Sequence, residues 1–184
     1  MHPIIYDVAV SADGFISGIN GDISRFPHHG AVVDDYTARL ATYRLAIMGR
    51  ATYEFGYGFG LVPGANPYPH MRTVVVSATI DLPAEAEVEI LRNGTPEALR
   101  ALQAGSGGPV YLCGGGVFAG WCLEHGLIDR LRLKRAPILL GGGARLFGPV
   151  VAPVDLRLER TKPYDNGTLY QEFVPTLAKA PPGG

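Results

Sequence analysis

Two strand-to-helix junctions in the sequence have the residue types that bind phosphate groups. In the first, Val110–Phe118 reads VYLCGGGVF, where a buried strand runs into three glycines and then a helix. Helix N-termini present free N–H groups and a partial positive charge, and glycines let an anion approach the backbone closely. The residues predicted to contact a phosphate here are Gly114, Gly115, Gly116, Val117 and Phe118. A tight turn between strand and helix, with no ligand, explains the same pattern equally well.

The second junction adds a guanidinium group. Ala46–Glu54 reads AIMGRATYE, with Arg50 at the start of a short predicted helix. Arginine can pair bidentately with a 2′-phosphate, which selects NADPH over NADH, although a surface arginine is the alternative. A third strand ends in Val74–Thr79, VVVSAT, where the hydroxyls of Ser77 and Thr79 can contact the same phosphate. Because ligands bind at the carboxyl edge of an α/β sheet, the three strand ends support one another.

Strands and helices alternate along the first three-quarters of the chain, and a hairpin follows. The predicted strands are Ile4–Val10, Leu45–Met48, Thr73–Ser77, Val88–Leu91, Val110–Cys113 and Ile128–Ile138. The predicted helices are Asp34–Tyr43, Arg50–Phe55, Pro96–Gln103 and Val117–His125. An Asn-Gly turn joins the hairpin strands Leu156–Pro163 and Gly167–Val174. This order predicts an α/β fold with a three-layer, mostly parallel twisted sheet and an antiparallel C-terminal hairpin. We expect one domain, residues 1–177, and a flexible tail, residues 178–184.

Composition excludes several classes of protein. Apolar residues make up 47% and charged residues 18%, as in a folded globular chain. The net charge is −1 and no basic run occurs, so neither nucleic acid nor a membrane is an expected partner. No stretch reaches the length of a membrane span, the first residues lack the pattern of a signal peptide, and no histidine spacing is typical of a metal site, so we expect none of the three. Cys113 and Cys122 form no CxxC pattern, which favours reduced thiols in the cytoplasm.

Together these motifs resemble the dihydrofolate reductase superfamily. The similarity covers Ile4–Val174, and its marks are SADGFISG, MGRATYE, VVVSAT, the triple glycine and PILLGGGARLF. The last of these is typical of the branch that contains the C-terminal reductase domain of the riboflavin-biosynthesis deaminase/reductase. The resemblance implies an NADPH-dependent oxidoreductase that transfers a hydride to a small heterocyclic or carbonyl substrate, either pterin-like or aminopyrimidine-like. It also implies a homodimer.

The resemblance assigns cofactor contacts residue by residue. Those implied for the 2′-phosphate are Gly49, Arg50, Thr52 and Ser77, and the glycine turn, Gly114–Phe118, takes the pyrophosphate. Ala78 and Thr79, which follow Ser77, are further predicted cofactor contacts. Those implied near the nicotinamide are Ala9, Asp13, Ile16 and Ser17. The folate enzymes carry an arginine before the third strand, where this chain has Met71 with Arg72 adjacent, so folate is not the expected substrate. They also frequently carry a basic residue after the glycine turn, where this chain has Val117 and Phe118, and this difference loosens only the cofactor contact.

A carboxylate on the first helix holds the substrate in the folate enzymes. Asp34 and Asp35 lie at about that place, and Asp34 fits the spacing better. Beside an apolar nicotinamide such a carboxylate would have a raised pKa and could relay a proton. The alternative is that both are charges at the start of a helix. The substrate pocket would lie among this helix, the Gly14–Gly30 loop and the Gly56–Pro69 segment.

Two other functions fit the same residues. A flavin or deazaflavin could place its anionic tail in the glycine turns, and Arg50 would then matter less. A non-catalytic nucleotide-binding dimer module would keep the sheet and lack the proton donor.

Overall fold

Eight strands form one sheet in a computed structural model that describes residues 1–149 and 153–176. The predicted tail, residues 178–184, lies outside the described residues. The strands of this sheet are β1 (Ile4–Ser11), β3 (Leu45–Gly49), β4 (Arg72–Val76), β5 (Glu89–Leu91), β6 (Val110–Gly114), β7 (Arg130–Ala136), β9 (Asp155–Pro163) and β10 (Leu169–Thr176). Their order is β5-β4-β3-β6-β1-β7-β10-β9. The first six are parallel, and β10 and β9 are antiparallel to their neighbours. The predicted fold class is confirmed.

Four α-helices connect these strands. They are α1 (Ala31–Leu40), α2 (Arg50–Phe55), α3 (Pro96–Ala104) and α4 (Gly116–Glu124). Local chemistry explains the start of α3, because the Thr95 side chain accepts a hydrogen bond from the Ala98 amide at 3.2 Å and Pro96 occupies the first turn. In the described residues, none of the helices has both the length and the apolar character needed to cross a membrane.

The strand β1 contributes to cores on both faces of the sheet. Its side chains alternate, so Ile4 and Tyr6 pack in one apolar cluster and Ile5 packs in the other. The second cluster contains Tyr43 and Met48. By the same alternation, Asp7 shares the face of Ile5.

Two loops are more ordered than their sequences predict. The Gly14–Gly30 segment contains the short strand β2 (Phe15–Ser17) and a 3-10 helix, Ile19–Gly21. β2 pairs with β8 (Ala144–Arg145), which follows the second triple glycine. The Gly56–Pro69 segment begins with another 3-10 helix, Gly56–Phe59.

Candidate active site

The glycine turn and the helix α2 meet at the carboxyl ends of two neighbouring strands. β3 and β6 pair in parallel, with Met48 opposite Gly114. The Gly115 amide donates a hydrogen bond to the Thr52 hydroxyl on α2. A Cβ atom on Gly49 would lie 3.3 Å from the Phe118 Cβ, so the two junctions are also packed against each other. The predicted glycine-turn residues and the MGRAT residues therefore border one crevice.

The arginine of the second junction reaches across to the next strand. Arg50 Nη1 donates to the Thr79 hydroxyl at 3.0 Å, and its Nε donates to Glu54 at 2.7 Å. Ser77 Oγ accepts the backbone amides of Thr79 and Ile80, which fixes the turn after β4. Ala78, within that turn, is exposed. Three predicted phosphate-contacting segments thus converge at the ends of β4, β3 and β6.

This crevice has donors that suit a phosphorylated dinucleotide. Within residues 1–149 and 153–176, no side chain caps the N-terminus of α4, so the first amides of this helix have no side-chain partner there. Among the described residues the Nη2 group of Arg50 has no acceptor, and the side chain is 49% exposed. Val117 is also exposed, which leaves the mouth of the turn open. A guanidinium, two hydroxyls and free amides are the donor set that binds phosphate.

The residues expected near the nicotinamide lie around the end of β1. Ala9 is half-buried within the strand, and Ile16 packs against the core from β2. Asp13 accepts the amides of Leu140 and Gly141, the latter at 2.8 Å, and the Ser11 hydroxyl at 2.5 Å. The Ser11 hydrogen bond, followed by that of Gly141, lowers the pKa of Asp13 to about 2. Asp13 therefore anchors the loop to the second triple glycine.

Ser17 lies where that second glycine turn crosses the loop. A Cβ atom on Gly143 would stand 2.0 Å from the Ser17 carbonyl oxygen, and φ at Gly143 is +120°. Only glycine tolerates both the contact and the backbone angle. PILLGGGARLF thus keeps the loop beside the end of β1.

The two candidate carboxylates of α1 have different surroundings. Asp34 is exposed. Asp35 accepts hydrogen bonds from Lys162 Nζ at 2.5 Å and from the Tyr164 hydroxyl at 2.7 Å. These hydrogen bonds, Lys162 first, lower the pKa of Asp35, so the expectation of a raised pKa is wrong for this residue. Its role in catalysis stays a prediction.

A buried ion cluster beneath α1 was missed by the sequence analysis. Asp7 is fully buried and accepts Lys134 Nζ at 2.6 Å, Arg39 Nε at 2.9 Å and the Tyr43 hydroxyl at 3.2 Å. Burial opposes the charged carboxylate, but Lys134 and Arg39 outweigh it and the pKa of Asp7 is lowered. Two signals are present in the sequence. Asp7 is a charged residue inside the apolar strand IIYDVAV, and Lys134 is a charged residue in the strand RLRLKRA.

Aromatic hydroxyls connect this cluster to the end of β6. Lys134 Nζ lies 3.7 Å from the centre of the Tyr36 ring, and the hydroxyls of Tyr36 and Tyr111 are 2.8 Å apart. The Tyr68 hydroxyl lies 3.1 Å from the Cys113 sulfur, immediately before the glycine turn. Burial raises the pKa of Cys113, which keeps it a neutral thiol. The wall of the site is therefore aromatic, with one buried ammonium group.

Pairing between β1 and β6 stops before either strand ends. The last paired residues are Tyr6 and Leu112, although β1 continues to Ser11 and β6 to Gly114. β1 meanwhile pairs with β7 as far as Ser11. An opening in the carboxyl edge of a parallel sheet is where ligands bind in α/β folds.

A cavity of about 490 Å³ lies between the loop after β2 and the end of α2. Its lining residues, which define the loop cavity, are Asn20, Gly21, Asp22, Ile23, Ser24, His28, Phe55, Gly58 and Phe59. The rings of Phe55 and Phe59 are 5.0 Å apart. No arginine or lysine is among these lining residues. The cavity lies between the two segments expected to enclose a substrate.

The family model of the RibD C-terminal domain matches residues 3–170. The chain belongs to this family. Among similar proteins, YyaP of Bacillus subtilis (strain 168) is 24% identical over 177 residues, which cover 90% of this chain and 91% of that protein. This RibD C-terminal domain therefore matches that relative over almost the full length of both.

Two solved structures share the fold of this RibD C-terminal domain. The first is the diaminohydroxyphosphoribosylaminopyrimidine deaminase/5-amino-6-(5-phosphoribosylamino)uracil reductase of Thermotoga maritima, with a TM-score of 0.73, 16% identity and coverage of 95% of this chain and 57% of that one. The second is the dihydrofolate reductase of Enterococcus faecalis complexed with NADP(H), with a TM-score of 0.67, 20% identity and coverage of 94% and 96%. At these identities the similarity shows the fold.

Proposed function

We propose that this RibD C-terminal domain is an NADPH-dependent reductase that acts on a pyrimidine- or pterin-like ring. The observation that carries the proposal is the convergence of the Arg50–Thr79 and Thr52–Gly115 contacts at three neighbouring strand ends. Family membership and the two structural neighbours support a reductase of this type.

In this proposal the residues of the crevice bind and orient the dinucleotide. Arg50, Ser77 and Thr79 would hold the 2′-phosphate, and the amides that open α4 would hold the pyrophosphate. NADPH, when bound, supplies the hydride. The loop pinned by Asp13 would exclude water at the end of β1, and the loop cavity would receive the part of the substrate that extends beyond the reacting ring.

The test is a comparison of binding and turnover. NADPH and NADH are titrated separately while their fluorescence is followed, and NADPH oxidation is then measured with three acceptors. These acceptors are 5-amino-6-(5-phosphoribosylamino)uracil, the same compound without its phosphate, and dihydrofolate. We expect tighter binding of NADPH and oxidation with at least one aminouracil. Equal affinity for the two nucleotides, or tight binding with no turnover of any acceptor, contradicts the proposal.

We also propose a homodimer that acts in the cytoplasm. β9 is an edge strand, and its Leu156 and Leu158 side chains are 43% and 51% exposed. An edge strand with exposed leucines favours pairing with a second copy. Cys113 and Cys122 are free thiols, as a reducing compartment would keep them. Sedimentation equilibrium tests the dimer, and a monomer at micromolar concentration would contradict it.

A further inference from the structure

Lys134 has one hydrogen-bonding direction that the protein does not use. Its ammonium group donates to Asp7 Oδ1 and lies over the Tyr36 ring. An ammonium group has three N–H donors, and in the described part of the chain no third partner lies within hydrogen-bonding distance of it. Since the side chain is only 9% exposed, bulk water has little access to that donor. A buried donor without a partner is costly, and a bound ligand can satisfy it.

The ion cluster also carries an excess of positive charge. Asp7 is the one carboxylate that Lys134 and Arg39 share. Arg132 and Arg130 extend the cluster, and both contact the carboxylate of Glu172. Asp35, which lies close enough to Arg39 to be affected by its charge, adds a third carboxylate, and its partner Lys162 adds a fifth cation. Three carboxylates thus face five cations. A ligand atom that gains electron density next to Lys134 would be stabilised by this excess.

Lys134 lies near the place where the substrate would meet the nicotinamide. Lys134 pairs with Ala9 in the register of β1 and β7, and Ala9 is one of the residues expected near the nicotinamide. It is also close enough to Cys113, at the end of β6, for its charge to affect that thiol. The ammonium therefore lies at the opening between β1 and β6.

We propose that Lys134 is the catalytic proton donor to the substrate and that Asp7 is the positioning residue that holds it. The inference rests on the proposed reductase function. As hydride from the reduced nicotinamide adds to the carbon of a C=O or C=N group, the π electron pair moves to the oxygen or nitrogen. That atom takes a proton from Lys134 Nζ, and the resulting neutral amine recovers a proton from solvent once the product has left and the crevice is open. The substrate is reduced by two electrons, and no other reactant is needed.

The electrostatics of the site agree with this role. Burial is the largest influence on Lys134 and lowers its pKa, so its ammonium gives up a proton more readily than an exposed lysine. The groups that face it are Asp7 from β1, Arg39 and Tyr36 from α1, Cys113 from β6 and Tyr170 from β10. Asp7 favours the ammonium, while Arg39 disfavours it.

The first experiment measures turnover of the aminouracil that the wild-type protein reduces. Lys134→Met should lower kcat by about 100-fold or more, the usual contribution of a general acid, with NADPH affinity unchanged. Lys134→Arg keeps a cation on Asp7 but cannot release a proton, so it should keep the melting temperature and still lose turnover. The matched control is Arg72→Met, because this exposed arginine pairs with Glu89 at the opposite ends of the strands.

The pH profile separates a positioning role from a structural one. Wild-type kcat should fall as pH rises through the lowered pKa of Lys134, because the ammonium is the active form. Asp7→Asn removes the charge that favours the ammonium, so its falling limb should move to lower pH. A merely structural role for Asp7 would reduce stability without moving this limb.

A measurement independent of turnover uses isotope-labelled lysine and NMR. The lysines of the chain are Lys134, Lys162 and Lys179, so the spectrum is simple, and the Lys134→Arg variant assigns the signal. Addition of 5,6-diaminouracil with NADP⁺ should shift the Lys134 signal.

The outcomes distinguish the two proposals. If NADPH does not bind, or no acceptor is reduced, the proposed function fails and this inference fails with it. If the wild-type protein reduces an aminouracil and Lys134→Arg does so at a similar rate, the reductase stands and Lys134 is not the proton donor. A Lys134 signal that does not respond to the ligand would likewise overturn the role of Lys134.

Discussion

The Arg50 guanidinium gives a direct test of how the crevice distinguishes NADPH from NADH. A charged hydrogen bond contributes about 1.5–3 kcal/mol. In this structure Arg50 is 49% exposed, and its Nε is occupied by Glu54, whose negative charge opposes a phosphate. The low end of the range therefore applies. Arg50→Ala should weaken NADPH binding by about 1.5 kcal/mol, or roughly tenfold in Kd, and should leave NADH nearly unaffected.

Isothermal titration calorimetry with both nucleotides measures this difference. The affinity of Arg50→Lys for NADPH should fall between those of the wild type and Arg50→Ala, because lysine keeps the charge but loses the bidentate geometry. Arg72→Ala is the matched control, since its side chain is 42% exposed and also forms an ion pair. Equal losses for NADPH and NADH would refute the role of Arg50 in reading the 2′-phosphate.

Three other results are expected. Gly116→Ala should lower the free energy of unfolding by about 1–3 kcal/mol in urea titrations, since its Cβ would stand 1.9 Å from the Arg145 carbonyl oxygen. The control is Gly58→Ala, whose Cβ would have nothing within 4 Å, and equal stability of the two variants would contradict the packing. The carboxylate of Asp7, whose folded pKa is lowered, stabilises the fold above its unfolded pKa of about 3.9 and loses this effect as the pH falls through the folded value. As the pH falls from about 7 to about 2, the free energy of unfolding of Asp7→Asn should therefore decrease less than that of the wild type. Parallel plots of this free energy against pH for the two proteins would refute the prediction. The aminouracil without phosphate should have the higher kcat/KM, because no cation lines the loop cavity, and a clear preference for the phosphorylated form would show that another surface binds that group.

Local sequence patterns predicted the parallel sheet and its hairpin well. Whether a segment forms a strand or a helix there depends largely on neighbouring residues, as at the start of α3, where Thr95 and Pro96 set the first turn. The start of α1 was misplaced, because Gly30, at φ +90°, ends the preceding loop and lets the helix begin at Ala31. β2 was missed because its partner, β8, lies far away in the chain, and short-range patterns carry no information about such pairing.

The candidate site was predicted unevenly for a similar reason. The residues that we propose to hold the dinucleotide, such as Arg50 and the glycine turn, stand in recognisable motifs at the ends of strands. The ion cluster consists of single residues from β1, α1 and β7, and only the fold brings Asp7, Arg39 and Lys134 together. Asp35 was found by its position on α1, but its partners Lys162 and Tyr164 come from the final hairpin.

The early end of pairing between β1 and β6 divides the sheet into two halves with separate tasks. One half, β4, β3 and β6, presents the motifs that we propose to grip the dinucleotide, while β1, β7 and β10 carry or brace the ammonium. β1 and β7 are paired over seven residues, but β1 and β6 over three. In the reductase that we propose, replacements on β7 and β10 would thus alter which acceptor is reduced and leave the contacts to the 2′-phosphate and the pyrophosphate intact. Such a division would let the substrate change by mutation while NADPH remains the source of reducing power.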